Sequence, residues 1–594
     1  MRTLVMTLLV LSLMAGVAVA QPGRLPAAKK LIEYGWDVPS PEFTAANIRA
    51  MEKRPFDGLI MRVEGGNRGN IFLGGKWDEA AFAKDFAALP AIQWDRFQHN
   101  FLMMYAASEM DWFSDRDWEA VLHNVDLMAR LAKAGRCHLA FDAEPYGKNP
   151  WAYSQQKQAA SRSFAEYQAM ARERGRQFIM TIERHLPDNV LLTFFTYSIF
   201  GGIMDEPDPA RRQMLLQQHS YGLYHSFLNG ILDRIGPRMT MTDGNEPSYY
   251  YENSEKYFDA YHQMRQRALN LVPPEDVVRF QTRTQASQAL YMDYVFARVP
   301  WKGIPALSMT PEEQAQWFLH NVYWALKTTD EFVWLYSEKM NWWTNKDIPA
   351  GMEEAVIKAR ELIAANRPLG FDQRDKMKAI QQRREAEIRE KLLRRQAQIP
   401  ALSGPAPKID GQLDDPAWQK AMLLEPFVGY FGTAEGEIKA STTARLTWDA
   451  HHLYIAVQAP EPQPEKMQIV GQRRDDSVWE GESLDLFITA QPGGSPYYHF
   501  ILNPRNVQWD AFYEADNDMT FNPAWQSATV IGKEGWVAEM AIPWEALKIK
   551  PAAGLKLRAN ICRQRQGSVK EQTSWSQTVK GFMEQDNFGT WELK

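Results

Sequence analysis

From residue 28 to residue 370 the chain repeats one pattern of apolar and polar positions. A short apolar run ends on an acid or an aromatic, and a segment with apolar residues three and four apart follows it. The runs fall at 30–37, 58–63, 100–106, 137–141, 189–196, 238–243, 277–280 and 332–338. Apolar runs this short read as buried strands, and the 3.6-residue period between them reads as amphipathic helix. Helices are predicted at 44–53, at 118–134 before Gly135, and at 352–364. Strand-then-helix repeats of this number predict an α/β unit, a TIM-like (β/α)8 barrel enlarged beyond the roughly 250 residues typical of that fold. A doubly wound open sheet would want a glycine-rich phosphate loop after its first strand. Gly35-Trp36-Asp37 is not such a loop.

After residue 370 the pattern changes twice. Residues 371–400 are densely charged, with a thin apolar stripe of Met377, Ile380, Ile388, Leu392 and Leu393. That composition predicts a solvated linker helix. From 401 to 594 apolar and polar residues alternate. Pairs of alternating runs flank turn residues at 449–452, 503–506 and 532–535, so three hairpins and an all-β sandwich are predicted.

Composition narrows the function. Lys and Arg number 67 against 73 Asp and Glu, a net charge of -6, and the basic residues are scattered. Nothing in that balance points to nucleic acid. The chain carries 21 Trp and 22 Tyr, planar residues with a polar edge that suit sugar rings as well as cores. Residues 1–20 read as a targeting segment with cleavage near Ala20, which predicts an exported protein. No later run is long enough for a membrane span. Cys137 and Cys562 are the two cysteines and fall in different predicted domains, so a disulfide is not expected. No Cys/His spacing supports zinc.

The chemistry sits where strands stop. Asp142 and Glu144 end the fourth run, Asp243 and Glu246 follow the sixth, and Glu338 ends the eighth. Glu33, Asp37, Glu64, Glu109 and Asp111 stand at the others. Aromatics accompany them: Tyr34, Trp36, Trp112, Tyr146, Tyr249 and Trp342. Catalytic groups of a (β/α)8 barrel come from the carboxyl ends of its strands. Glycoside cleavage needs one protonated carboxyl and one carboxylate, with pKa values set apart by their surroundings.

This half resembles the broad group of (β/α)8 glycoside hydrolases, through Asp142-Ala143-Glu144 and Asn245-Glu246-Pro247. An Asn-Glu-Pro triplet marks the acid/base of many such enzymes after their fourth strand, whereas here it follows the sixth. The C-terminal part resembles the family 9 carbohydrate-binding module. The marks are Ile409-Asp410-Gly411 with Trp418, Trp448-Asp449, Trp479-Glu480-Gly481-Glu482, Ile542-Pro543-Trp544 and Phe588-Gly589-Thr590-Trp591. That resemblance implies a sugar held between two aromatic faces, which map to Trp479 and Trp575, with Glu482 and Gln577 at the ring edge. It also implies calcium in this domain, without a matched ligand set. No other cofactor is required.

The expectation is a secreted glycoside hydrolase acting on a polysaccharide or oligosaccharide. Glu144 is the expected proton donor, Glu246 the partner carboxylate, and Glu338 the next choice. Asp142 would tune Glu144 through like charge, and Asp243 would orient a sugar or water. Tyr34, Trp36, Tyr146 and Trp342 would line the cleft. The competing reading is a glycan-binding scaffold whose barrel has lost its chemistry. A lyase would want a Tyr, His or Lys base beside a neutralising Arg or metal, and no such cluster is visible.

Overall fold

The computed structural model describes residues 28–594, apart from 74, 108–109, 300, 302–303, 432–437, 515–516 and 519–520. The expected targeting segment and Glu109 lie outside the described residues. The chain divides into two compact units that part at Ile380 and Gln381, inside the helix Arg374–Lys391. No helix among the described residues is long and apolar enough to cross a membrane.

The first unit is a parallel barrel. Its strands are β1 (Lys30–Gly35), β2 (Gly58–Met61), β3 (Phe101–Tyr105), β4 (His138–Asp142), β5 (Val190–Thr193), β6 (Thr240–Asp243), β7 (Thr284–Ala286), β8 (Gln288–Tyr291) and β9 (Phe332–Ser337). They pair in the order β7-β6-β5-β4-β3-β2-β1-β9-β8. Only Ser287 separates β7 from β8, so the two share one barrel position and the ring closes with eight. Every ladder is parallel, which brings all the carboxyl ends to one face.

The expected seventh strand, 277–280, is instead the helix Val277–Arg283. Val278 is 70% exposed and only Phe280 is buried, a helical rather than a strand pattern. The true seventh position was hidden by its polarity. Gln285, Ser287 and Gln288 are polar, yet Ser287 and Gln288 are fully buried. Their polar groups find partners inside: Ser287 Oγ donates to Phe332 O at 2.6 Å, and Gln288 Oε1 accepts from Asn245 Nδ2 at 2.7 Å. Buried polar groups are tolerated when paired in this way.

Capping fixes the outer helices. Ser114 caps Asp115–Gly135, and reciprocal capping boxes open Phe164–Glu183 (Ser163, Glu166) and Pro311–Lys327 (Thr310, Glu313). Each cap stabilises its helix by about 1 kcal/mol. Inside the barrel Phe194 stacks on Trp334 at 4.1 Å and 9°. Trp334 Nε1 donates to Gly244 O at 3.0 Å. A Cβ on Gly244 would meet Thr193 O at 2.3 Å, so only glycine lets the chain turn there towards Asn245 and Glu246.

The second unit is a sandwich of two sheets. One runs Gln396–Ile399, Gly589–Leu593, Lys556–Gln566, Ser483–Thr489, Tyr497–Leu502, Gln508–Tyr513 and Asn517–Asp518, with Lys570–Ser574 on Lys556–Gln566. The other runs Met422–Leu424, Thr443–Trp448, His452–Pro460, Gly535–Pro543 and Gln526–Gly532. All three predicted hairpins are present, pairing Trp448 with Leu453, Leu502 with Gln508, and Ile531 with Trp536. Leu446, Ile455 and Trp536 from one sheet share a core with Leu486, Phe500 and Trp591 from the other. The first strand, Gln396–Ile399, falls within the span expected to be linker and pairs with the last strand of the chain. Cys137 and Cys562 are both buried and free.

Candidate functional site

β4 stops at Asp142, and Pro145 two residues past Ala143 keeps the chain from continuing as strand. Asp142 is fully buried. Its Oδ1 accepts the backbone N–H of Glu144 at 2.8 Å, and its Oδ2 accepts the Tyr146 hydroxyl at 3.1 Å. The same hydroxyl also contacts Glu144 Oε2. Past β6, Asn245 takes a left-handed conformation (φ +43°), and Glu246 N donates to Phe194 O at 3.1 Å. Glu246 therefore hangs from a turn pinned to the barrel lumen. Past β9, Glu338 Oε1 accepts the hydroxyls of Tyr291 at 2.9 Å and Tyr336 at 3.2 Å.

Two of these carboxyls are held protonated. Burial, then the neighbouring charge of Glu144, pushes Asp142 up to about 8. Burial, then the charges of Glu144 and Asp142, pushes Glu246 up to about 9. Tyrosines report the convergence. Tyr221 is raised by burial and then by the charges of Glu144, Asp142 and Glu246. Tyr250 is raised by burial and then by Glu246, Glu144 and Glu338. The barrel mouth thus gathers Asp142, Glu144, Glu246 and Glu338 within a tyrosine wall. Tyr249 stacks on Tyr336 at 5.7 Å and tilts on Tyr291 at 5.1 Å.

Asp243 does not join them. It is buried and accepts from Thr196 N and Oγ1, Ser198 N and Oγ, and Asn245 N, at 2.6 to 3.2 Å. Its carboxylate is consumed in tying the β5 and β6 connections together. Trp342 is also lost as a cleft residue, since it is fully buried, edge-on to Phe56 at 4.9 Å. Its backbone N donates to Asp37 Oδ2 at 2.7 Å. Trp112 lies in the same core. Tyr34 is nearly buried, with its hydroxyl 3.3 Å from that of Tyr105, and serves as floor rather than contact surface. Trp36, 66% exposed, and Tyr146, 62% exposed, do present rings to solvent. Trp36 is held by its Nε1 bond to Tyr336 at 2.8 Å and faces Lys339 Nζ at 4.9 Å.

Below the mouth, Glu33 is fully buried and burial raises its pKa well above the usual carboxylate range, with the charge of Asp37 adding to it. Tyr221, Tyr291 and Tyr336 were not singled out from sequence. Tyr336 had a usable signal, lying two residues before Glu338. Tyr221 sits in a helical connection and had none.

In the sandwich, of Trp479, Trp575 and Glu482 only Trp479 is reachable, and Gln577 is half-buried. Trp479 is 41% exposed and stands edge-on to Trp509 at 5.5 Å. Trp575 is 2% exposed and packs on Trp591, so two facing aromatic rings are not available there. Glu482 is fully buried, accepting from Arg563 Nε at 2.8 Å and Trp536 Nε1 at 3.0 Å. The Ile409-Asp410-Gly411 mark has a structural cause. Asp410 N and Gly411 N donate to Glu539 Oε2, and Trp418 Nε1 donates to Glu539 Oε1 at 2.7 Å. Among the described residues no three acid, His or Cys side chains gather for a metal. Glu461 and Asp510, like Glu482, are committed to arginines, and Asp485 to His499.

Comparison with known proteins matches residues 409–594 to the family model described as "Carbohydrate family 9 binding domain-like". Endo-1,4-beta-xylanase C of Paenibacillus barcinonensis is 26% identical over 194 residues, 31% of this chain and 16% of that protein. Exoglucanase XynX of Acetivibrio thermocellus is 24% identical over 158 residues, 27% of this chain and 13% of that protein. The chain therefore spans between 13% and 16% of these two relatives. Among solved structures, a family 9 module from Caldicellulosiruptor kristjanssonii in complex with cellotriose covers 34% of this chain and 94% of its own, at 16% identity and TM-score 0.26. The endo-beta-1,4-mannanase from Thermotoga petrophila covers 96% and 99%, at 7% identity and TM-score 0.32.

Proposed function

We propose that the protein is an exported glycoside hydrolase that cleaves O-glycosidic bonds of a polysaccharide or oligosaccharide at the barrel mouth, with the C-terminal domain holding the glycan. The carrying observation is Glu246, a carboxyl kept protonated near neutral pH by burial and by Glu144 and Asp142. A protonated carboxyl is what a glycosidic leaving group requires. The family match of residues 409–594 supports the glycan-holding role.

The expected roles change places. Glu246 gives its proton to the glycosidic oxygen as the bond to the anomeric carbon breaks, so the leaving alcohol departs neutral. Glu144, steadied by Tyr146 and Asp142, faces the positive charge that develops at that carbon. Water completes the reaction, its hydroxyl going to the anomeric carbon and its proton to the carboxylate pair. Asp142 acts through Glu144, and Trp36 and Tyr146 offer the exposed rings for stacking.

The test compares Glu246→Gln and Glu144→Gln on a natural glycan and on an activated aryl glycoside. Glu246→Gln should lose roughly 10²–10⁴-fold on the natural glycan and much less on the aryl glycoside, which needs little protonation. Glu144→Gln should lose on both. A parent protein that retains glycan but releases no reducing ends across a glycan panel would instead establish the scaffold reading.

A further inference from the structure

Of the four carboxyls at the mouth, Glu338 takes no part in bond cleavage. The other three act on one another: the charge of Glu144 bears on Asp142, and both bear on Glu246, whereas Glu338 bears on neither Asp142 nor Glu246. Its mounting is nonetheless rigid. β9 ends at Ser337, and Asp293, fully buried just past β8, takes over from the sheet. Asp293 Oδ2 accepts the backbone N–H of Glu338 at 2.6 Å and that of Lys339 at 3.4 Å. Glu338 Oε1 then accepts two phenols, from Tyr291 at 2.9 Å and Tyr336 at 3.2 Å. A buried acid and two tyrosines thus fix a carboxyl that the bond-breaking step does not need.

The second oxygen of that carboxyl is open. Among the described residues Glu338 Oε2 accepts no hydrogen bond, and Lys339 Nζ stands 3.9 Å from it, beyond hydrogen-bond reach. The side chain is 23% exposed, so this oxygen meets solvent at the mouth.

Beside it stands Trp36. Its Nε1 donates at 2.8 Å to the same Tyr336 hydroxyl that donates to Glu338, so the indole edge and the carboxyl are one hydroxyl apart. The Trp36 backbone N donates to Ser337 O at 2.8 Å. A Cβ on Gly35 would lie 2.5 Å from that oxygen, so glycine lets the end of β1 close on β9. The indole is pinned at its edge and through its backbone, yet it is 66% exposed. An aromatic already held in place loses little freedom when a ligand stacks on it. A pyranose has an apolar face for such a ring and hydroxyls around its edge. A carboxylate oxygen is a strong acceptor for one of those hydroxyls.

We propose that Trp36 and Glu338 form one sugar subsite, in which a neutral pyranose unit flanking the cleaved bond stacks on the indole and donates a free hydroxyl to Glu338 Oε2. The inference rests on reading the mouth as a glycoside-cleaving site, and it names the substrate class of that site: a glycan of neutral units left unsubstituted at that hydroxyl. A methyl or acyl group on the oxygen would remove the donor and leave the carboxylate desolvated without a partner. Glu338 is thereby a specificity residue rather than the second catalytic carboxylate.

The test uses the full chain, the soluble neutral glycan that a panel shows it to cleave, and the 4-nitrophenyl monoglycoside of the same sugar, which ends short of Trp36. Glu338→Gln keeps a carbonyl for the two tyrosines and turns an N–H towards the sugar, so the shape stays and the acceptor is lost. Glu338→Gln and Trp36→Ala should each raise KM for the glycan roughly 10-fold, with kcat moving less than about 3-fold. On the monoglycoside the loss in kcat/KM should be smaller for both. The double variant should lose clearly less than the product of the two single losses, because both side chains hold one sugar unit. A fall of kcat by about 10² or more on both substrates in Glu338→Gln would make Glu338 a catalytic carboxyl and overturn the proposal. An unchanged KM in both variants overturns the subsite while leaving cleavage itself standing, and fully multiplicative losses overturn the shared unit. Where no glycan is cleaved, calorimetric binding of a soluble neutral oligosaccharide is compared between Trp479→Ala and a triple variant that adds Trp36→Ala and Glu338→Gln. Weaker binding by the triple variant then sustains the subsite without the catalytic reading, and identical binding removes it.

Discussion

The backbone N–H of Glu144 donates to Asp142 Oδ1 at 2.8 Å. The two acids of the Asp-Ala-Glu triplet are therefore joined through the chain itself, not only by facing the same way. β4 has already ended at Asp142, so strand pleating does not set the direction of Glu144. The Asp142 carboxyl does, by holding the peptide on which Glu144 is mounted, and the Tyr146 hydroxyl then bridges both side chains. A short polar side chain that captures the amide two residues on is a turn-forming device.

That coupling has a pH signature. Asp142 and Glu246 lie at about 8 and about 9, and both are affected by Glu144. Interacting groups titrate as a set, so the alkaline limb belongs to the cluster. Hydrolysis of a natural glycan should fall as pH rises through that range, because the donor loses its proton. Asp142→Asn removes one of the charges acting on Glu246 and should move the limb to lower pH. A pH series of kcat/KM for both proteins checks this, and an unmoved limb would falsify the coupling.

Asp243 accepts five hydrogen bonds from the β5 and β6 connections. Asp243→Ala leaves those buried donors unpaired. Hydrogen bonds to a charged group are worth about 1.5–3 kcal/mol each, and the bonds here are shared, so a loss of at least about 3 kcal/mol is expected. Urea unfolding of the variant measures it. Activity should fall with the fraction folded, and a fully stable but inactive variant would return Asp243 to the catalytic set.

Trp479 and Trp575 should behave oppositely. Trp479→Ala removes an exposed ring and should weaken glycan retention with a small change in melting temperature. Trp575→Ala opens a hole in the sandwich core beside Trp591 and should cost about 3–5 kcal/mol. Affinity electrophoresis and thermal melts on both variants separate the two effects. Comparable destabilisation by Trp479→Ala would mark it as a packing residue.

Glu33 supplies a stability test. Burial raises its folded pKa well above its value in the unfolded chain, so the folded protein keeps a proton that the unfolded chain releases above about pH 4. Its contribution is fully present below that pH and declines as pH rises towards the folded pKa. Glu33→Gln keeps the neutral shape and cannot ionise. Melting temperature should therefore fall less between about pH 5 and 8 in the variant than in the parent. Parallel slopes in calorimetry would show that Glu33 does not titrate with folding.

The sequence by itself determined the repeat of strand and helix, the three hairpins of the sandwich, and the placement of acids at strand ends. Those depend on local period and turn chemistry, which neighbours in the chain settle among themselves. Tertiary structure decided the rest. The seventh barrel strand was invisible because its polar residues are matched by Phe332, Asn245 and Thr328, 40 to 45 residues away in the chain. Which acids remain available was decided the same way. Glu246 and Asp243 lie three residues apart, yet Thr196 and Ser198, 45 to 47 residues distant, occupy one and leave the other. Glu482 looked like a sugar contact until Arg563, 81 residues on, closed over it. Burial and partner supply set whether a carboxyl is a strut or a proton donor, and both quantities belong to the folded chain alone.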